Sequence, residues 1–371
     1  MIDVRAHLAR KPLLFDGGMG TYYKAKPGTE CEQGNLLDPA GVRKVHREYL
    51  AAGAEAIKTN TFGLPRMAAA RQPDWQALAR AGWKLAAEAA VETGAAVFAD
   101  LGPAPDTEAA PAGSIYTAVA RCFVEQGAKN FLFETLSSDA GVLEAVQAVK
   151  AQVPDAFVLV SFAVLPDGYT REGMYSKDLV RRMTESGIVD AVGFNCVSAP
   201  GAMRTLVQQL GSTALPLSVM PNAGYPVVTR TQVKYQGKPE YFAKELARIA
   251  AEGVRILGGC CGTTPAHIAA LRAALDSLPA VKKAAPAVQV STPEAPTVEK
   301  DDAFLRKLNA GKKVIAIELD SPEDADLTNY LAGAKRLQAA GADLLTIADC
   351  PIARARMDSS LVACRVHREL G

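Results

Sequence analysis

The strongest constraint in this chain is a recurring junction in which an amphipathic stretch ends in glycine and a short apolar run follows. It occurs at Ala52-Gly53-Ala54, Thr93-Gly94-Ala95, Gln126-Gly127-Ala128, Ser186-Gly187-Ile188 and Glu252-Gly253-Val254. Glycine just past a helix takes the left-handed conformation that turns the chain back toward a sheet. The apolar runs supply eight strand candidates: Leu13–Phe15, Ala56–Lys58, Ala96–Ala99, Asn130–Phe133, Phe157–Phe162, Ala191–Phe194, Leu217–Met220 and Arg255–Leu257. Helices fall between them. Pro39–Ala52 has Asp38 as N-cap and proline in its first turn, and Pro265–Ala274 repeats the arrangement with Thr264. Eight such units over residues 1–278 predict an α/β fold of the (β/α)8 barrel type. A doubly wound dinucleotide fold lacks its glycine fingerprint after the first strand.

From residue 279 to 300 the composition shifts to Pro, Ala, Val, Lys and Glu, which predicts a semi-extended linker. Residues 301–371 restart the alternation, with helix 302–309, strand Val314–Leu319, helix Asp324–Ala340, strand Leu344–Ala348 and helix Ala353–Leu370. A βαβα piece of this size cannot close a barrel by itself, so it is expected to be the start of a second barrel in a longer protein.

Charge narrows the partners. With 41 basic against 40 acidic residues the formal charge is +1, which gives no field for nucleic acid or an acidic membrane. The N-terminus lacks the apolar core of a secretory signal and no 18-residue apolar run occurs, so a soluble, cytoplasmic protein is expected. Seven cysteines, an odd count, argue against a disulfide framework.

Barrel active sites lie at the C-terminal ends of the strands. Here those ends read Asp16-Gly17-Gly18-Met19-Gly20-Thr21, Thr59-Asn60-Thr61-Phe62, Asp100-Leu101-Gly102, Glu134-Thr135, Asn195-Cys196, Pro221-Asn222 and Gly258-Gly259-Cys260-Cys261-Gly262. Strands six and eight are two places apart in a closed barrel, so Cys196 can meet Cys260 and Cys261. Spacing alone leaves two readings open: a zinc site with three thiolate ligands and one free position, or a buried Cys196 beside a metal-free reactive pair. Zinc with three thiolates carries a net negative charge, which suits holding a substrate thiolate better than activating water. Asp16 and Glu134 suit a substrate ammonium, and the amides of Gly17, Gly18 and Gly20 a carboxylate, although Asp-Gly-Gly-Met-Gly also reads as a plain capped turn. Thr61, Asn60, Asn195 and Asn222 either line the pocket or tie loops together. Cys31, in a polar loop, is a weak candidate for a fourth ligand, and Cys122 falls in a helix core.

Together these residues resemble the homocysteine-binding barrel shared by cobalamin-dependent methionine synthase, betaine–homocysteine methyltransferase and S-methylmethionine-dependent enzymes. The matching stretches are FDGGMGT at 15–21, KTNTFG at 58–63, FET at 133–135, GFNC at 193–196 and GGCCGT at 258–263. The resemblance implies that Cys196, Cys260 and Cys261 bind Zn2+, that the homocysteine sulfur completes the tetrahedron, and that Asp16 and Glu134 lie near the substrate amine. In the tail, VIAIELDSPEDAD at 314–326 and GADLLTIADCPIARAR at 341–356 look like the start of a methylenetetrahydrofolate reductase barrel, with Glu318 near that family's acidic position. The order is similar to bacterial bifunctional homocysteine S-methyltransferase/methylenetetrahydrofolate reductase proteins. FAD is expected only with a complete reductase domain.

The expected function is therefore methionine formation from L-homocysteine, whose thiolate attacks an activated methyl group. A donor on a separate cobalamin (corrinoid) protein needs an open mouth. A sulfonium or betaine donor needs aromatic walls, for which Tyr22, Tyr23, Phe62 and Tyr225 are candidates. A homo-oligomer is compatible with the sequence. The rivals are a non-catalytic homocysteine- or zinc-binding domain regulating an attached reductase, and a thiol redox protein using Cys260-Cys261.

Overall fold

A computed structural model describes residues 2–108, 110–228, 233–277, 303–348 and 356–370. The chain divides into two compact units, Met1–Val288 and Gln289–Gly371. The expected linker lies outside the described residues.

The first unit contains strands β1 Leu13–Leu14, β2 Ala56–Lys58, β3 Ala96–Leu101, β4 Asn130–Leu136, β5 Phe157–Phe162, β6 Ala191–Asn195, β7 Leu217–Met220, β8 Pro226–Val228, β9 Val233–Tyr235 and β10 Ile256–Leu257. All but β8 and β9 form one parallel sheet in the order β1-β10-β7-β6-β5-β4-β3-β2. Its ends meet through a parallel bridge between Phe15 and Ala56, with Asp16 donating its N–H to Ala56 O at 3.0 Å. This is the (β/α)8 barrel that the sequence predicts, and every predicted strand is present. The junction glycines do what the pattern requires: Gly53 stands at φ 97° and Gly253 at φ 102° between helix and strand. Asp38 caps its helix by accepting from Gly41 N at 3.0 Å, and Thr264 forms a capping box with His267.

Several short elements went unread in the sequence, among them a helix near the N-terminus and a hairpin after β7. Helix Val4–Leu8 buries Val4 and Leu8 in the same cluster as the barrel interior and closes its N-terminal end. After β7 the chain forms the antiparallel hairpin β8–β9 before returning to helix Pro239–Ala251.

In the second unit, β11 Ala316–Glu318 and β12 Leu344–Thr346 pair in parallel, with helix Thr328–Ala339 between them. The helix starts later than Asp324 because Asp324 and Asp326 each accept a backbone N–H two residues on, which holds that stretch in turns. The last helix starts at Ser359, where Asp358 accepts from Ser360 N and Leu361 N. Among the described residues no helix is long and apolar enough to cross a membrane.

Candidate active site

Period-two alternation fixes what each strand offers the barrel interior. The lower rows are apolar: Phe15, Ala56, Ala96, Phe98, Leu132, Leu159 and Ala191 belong to one buried cluster. Two or four residues further along the same inward rows stand Lys58, Asp100, Glu134, Ser161 and Asn195, all buried. Apolar packing thus gives way to polar groups at one end of the barrel, and the cysteines sit at that end.

Cys196, Cys260 and Cys261 bring their sulfurs within 4.8 Å of one another, and the Cys196 and Cys261 sulfurs are 3.8 Å apart. Sulfurs ~2.3 Å from a tetrahedral ion lie about 3.8 Å apart, so the donor set fits zinc in both chemistry and spacing. Strand closure places them. Cys196 N donates to Met220 O at 3.1 Å and Cys260 N to Pro221 O at 2.9 Å, which ties both loops to the end of β7. Cys196 and Val197 adopt φ of 60° and 34°, an uncommon conformation for side-chain-bearing residues that turns the chain sharply at the thiol. Hydrogen bonds from Cys196 and Cys260 draw the Cys261 thiol well below its ordinary pKa, while hydrogen bonding with Cys260 and Cys261 holds the Cys196 thiol well above its own. Gly18 packs on the same loop: a Cβ there would meet Cys260 O at 2.6 Å.

Beside the thiols lies a cavity of about 260 Å3, lined among others by Gly18, Thr61, Asp100 and Glu134 as well as Lys58 and the cysteines. A larger hollow of about 400 Å3, beside helix Val4–Leu8, holds no such convergence of reactive groups.

Asn195 organises the wall. Its Oδ1 accepts from Thr135 N at 2.8 Å and Ser161 Oγ at 2.8 Å, and its Nδ2 donates to Thr135 Oγ1 at 2.7 Å and Glu134 Oε2 at 3.3 Å. Thr135 needs this support because it stands at φ 62°, where β4 slips register against β5. The irregularity re-aims the strand end that carries Glu134. Asp16 acts similarly on the other side, its Oδ2 accepting the Lys58 backbone N–H at 3.0 Å.

Burial raises Asp16 and Glu134 to about 7, against the pull of Lys58. Burial works against the Lys58 ammonium, but Glu134 and Asp16 outweigh it and hold its pKa above the ordinary value. Asp100 is raised well above the carboxylate range by burial and by Glu134.

The structure thus brings Cys196, Cys260, Cys261, Glu134, Gly18 and Thr61 to one cavity. Asp16, Gly17 and Asn195 stand behind its wall. A Cβ on Gly17 would meet Thr263 Oγ1 at 2.5 Å and the Tyr49 ring at 2.8 Å, which makes this position a packing contact. The Gly18 amide is committed to Thr263 Oγ1 at 3.0 Å and the Thr61 hydroxyl to Asp100 O at 2.7 Å. Cys31 lines the cavity but lies outside the thiol cluster: its Sγ donates to Asn60 Oδ1 at 3.1 Å, and burial pushes its thiol up to about 12. Tyr22 and Tyr23 do not wall the cavity, because their hydroxyls bond Glu48 and Asp38 of the neighbouring helix. Of the four aromatic candidates Phe62 alone lines it.

The sequence marks Asp100 only as one of the strand-end residues and Lys58 only as the start of KTNTFG, with no individual role for either. Their signal was the inward register, since each stands two residues after a buried apolar residue of its strand, Ala56 and Phe98.

Residues 13–275 match the model of the family described as Homocysteine S-methyltransferase. The chain belongs to that family. It is 32% identical over 307 residues to methionine synthase of Mycobacterium tuberculosis, covering 75% of this chain and 25% of that protein. The chain thus corresponds to about a quarter of the length of that relative. It is 29% identical over 296 residues to homocysteine S-methyltransferase of Escherichia coli, covering 70% of this chain and 94% of that one. Among solved structures it is similar to the homocysteine methyltransferase MmuM of Escherichia coli. The oxidized form aligns with TM-score 0.60 and 25% identity over 74% of this chain and 99% of that one. The metallated form aligns with TM-score 0.59 and 25% identity over 73% and 99%.

Proposed function

We propose that this chain is a zinc-dependent thiol methyltransferase that forms methionine from L-homocysteine. The observation that carries the reading is the convergence of three thiols beside a cavity walled by buried carboxyls. Cys196, Cys260 and Cys261 would hold the metal, which when bound lowers the pKa of a substrate thiol and keeps it as a nucleophilic thiolate. The chain's own groups do the rest. Glu134 and Asp100 face the cavity and take the substrate ammonium, Asn195 and Asp16 brace the wall from behind, and Gly18 lets the first loop lie against Cys260. The substrate sulfur forms a bond to the donor's methyl carbon while the donor–methyl bond breaks, its electron pair leaving with the donor. The thiol proton leaves on binding, so no base is required at the methyl-transfer step.

The division into a barrel at 1–278, a linker at 279–300 and the beginning of a methylenetetrahydrofolate reductase-like barrel at 301–371 belongs to the same proposal. It is supported by the parallel pairing of β11 and β12 around a crossover helix.

The test is zinc K-edge X-ray absorption on the purified chain, with and without L-homocysteine. A change from three sulfurs and one light atom to four sulfurs is expected. A site whose ligands stay unchanged on adding the thiol makes the metal structural and removes the reading. Turnover assays with methylcobalamin, methylfolate and S-methylmethionine then separate the donors, and binding without turnover of any of them identifies a regulatory domain instead.

A further inference from the structure

Among the described residues, the upper barrel interior holds three carboxyls, Asp16, Asp100 and Glu134, and one ammonium, Lys58. The Lys58 Nζ donates to Gly259 O at 3.3 Å. It stands 3.7 Å from Glu134 Oε2 and 3.9 Å from Asp16 Oδ1. Both carboxylate distances exceed a direct hydrogen bond, so of the three donors of a buried ammonium only one is spent. The acceptors opposite are unspent too: Asp16 Oδ1 and Asp100 Oδ1 are buried without a hydrogen-bond partner. Buried polar groups rarely stay unpaired. Gaps of 3.7 and 3.9 Å are too short to admit another atom, so a group that uses this spare capacity must approach from the adjoining cavity.

Lys58, Asp100 and Glu134 line the cavity beside the thiols. An α-amino acid bears its ammonium and carboxylate on one carbon, so both can enter a single cluster of mixed sign. The carboxyls accept the ammonium. The carboxylate then needs a donor; the Gly18 amide is already committed to Thr263, and among the described residues Lys58 is the one cation that lines the cavity. We propose that Lys58 is a specificity-determining residue that takes the substrate's α-carboxylate, so that the site selects amino-acid thiols over simple thiols. The proposal rests on the thiol methyltransferase reading.

Titration calorimetry on the zinc-loaded full chain tests it, with L-homocysteine and with 3-aminopropanethiol, which keeps the thiol and amine and lacks the carboxylate. The wild type is expected to prefer homocysteine by about 10- to 100-fold, the range of a charge-assisted hydrogen bond. Lys58→Met should erase that preference while binding aminopropanethiol about as well as before, and Lys58→Arg should keep part of it. Equal weakening of both thiols in Lys58→Met, or a preference that survives it, overturns the proposal. Thermal melts show whether Lys58→Met folds; if it does not, the wild type's own preference and its persistence in Lys58→Gln decide. A wild type that binds both thiols equally sinks the Lys58 role alone. One that binds neither, with an unchanged zinc spectrum, sinks the methyltransferase reading and this proposal together.

Discussion

Replacing Asn195 by alanine should damage the barrel rim more than any single contact suggests. The side chain is fully buried and joins β4, β5 and β6 through bonds of 2.7–2.8 Å to Thr135 and Ser161, with a longer one to Glu134. Truncation strands the Thr135 N–H, a main-chain donor that cannot rotate to another partner, whereas the Ser161 and Thr135 hydroxyls can turn. A part-buried donor left without its partner costs about 1–2 kcal/mol, and the lost side-chain volume adds about 1 kcal/mol. Relief of the φ 62° strain at Thr135 works the other way, because the segment is then free to leave that conformation. With about 1 kcal/mol returned by that relief, the net expectation is a loss of about 1–2 kcal/mol from the barrel's unfolding free energy. Asn195→Asp keeps the acceptor for Thr135 and Ser161 but loses the bonds donated to Thr135, Glu134 and Cys260 and faces Glu134 with a like charge, so it should stabilise the zinc-free protein less than asparagine does. The assay is urea unfolding followed by tryptophan fluorescence, since Trp75 and Trp83 both lie in the barrel unit. An Asn195→Ala variant within about 0.5 kcal/mol of wild type would refute the assignment of Asn195 as the brace of this rim.

Gly17→Ala should cost about 2 kcal/mol, because its Cβ meets Thr263 Oγ1 and the Tyr49 ring in a packed interior. Gly20→Ala, which meets nothing within 4 Å, should change stability by less than about 0.5 kcal/mol, and equal thermal shifts for the two would contradict the packing role of Gly17. His46 is fully buried with neither ring nitrogen partnered, and burial lowers it from 6.5 to about 4. The unfolded chain therefore binds the extra proton between those values, so stability present above pH 6.5 drains away as pH falls toward 4, by up to about 3 kcal/mol. Asp16 and Glu134, raised to about 7, act with the opposite sign, losing stability as pH rises toward that value, and are common to both proteins compared. Subtracting the pH profile of the urea midpoint of His46→Leu from that of the wild type isolates the histidine, and a flat difference between pH 7 and 4.5 would count against it.

Much of the barrel was legible because its signals are local. A glycine past a helix, an aspartate or threonine before a proline and an apolar run of a few residues act within one turn of their own position. Gly53, Asp38 and Thr264 accordingly stand where the pattern puts them. The site's address was legible for the same reason, since polar residues collect after the apolar runs at one end of every strand. The helix Val4–Leu8 escaped because Val4 and Leu8 bury only against distant parts of the barrel, and the hairpin β8–β9 because its strands are only three residues each.

What the sequence by itself determined is the order of strands and helices and the end of the barrel at which chemistry collects. Closure decided the rest. The 3.8 Å approach of Cys196 to Cys261 exists only because β7 lies between β6 and β10 and fastens both loops. Which face of a strand looks inward is likewise a property of the closed sheet. Only there does Lys58 end up among Asp16, Asp100 and Glu134, while Gly17 becomes a packing contact and Tyr22 and Tyr23 turn toward a helix. Local patterns set where the chain turns, whereas long-range pairing sets which side chains meet, and a reacting site is made of meetings.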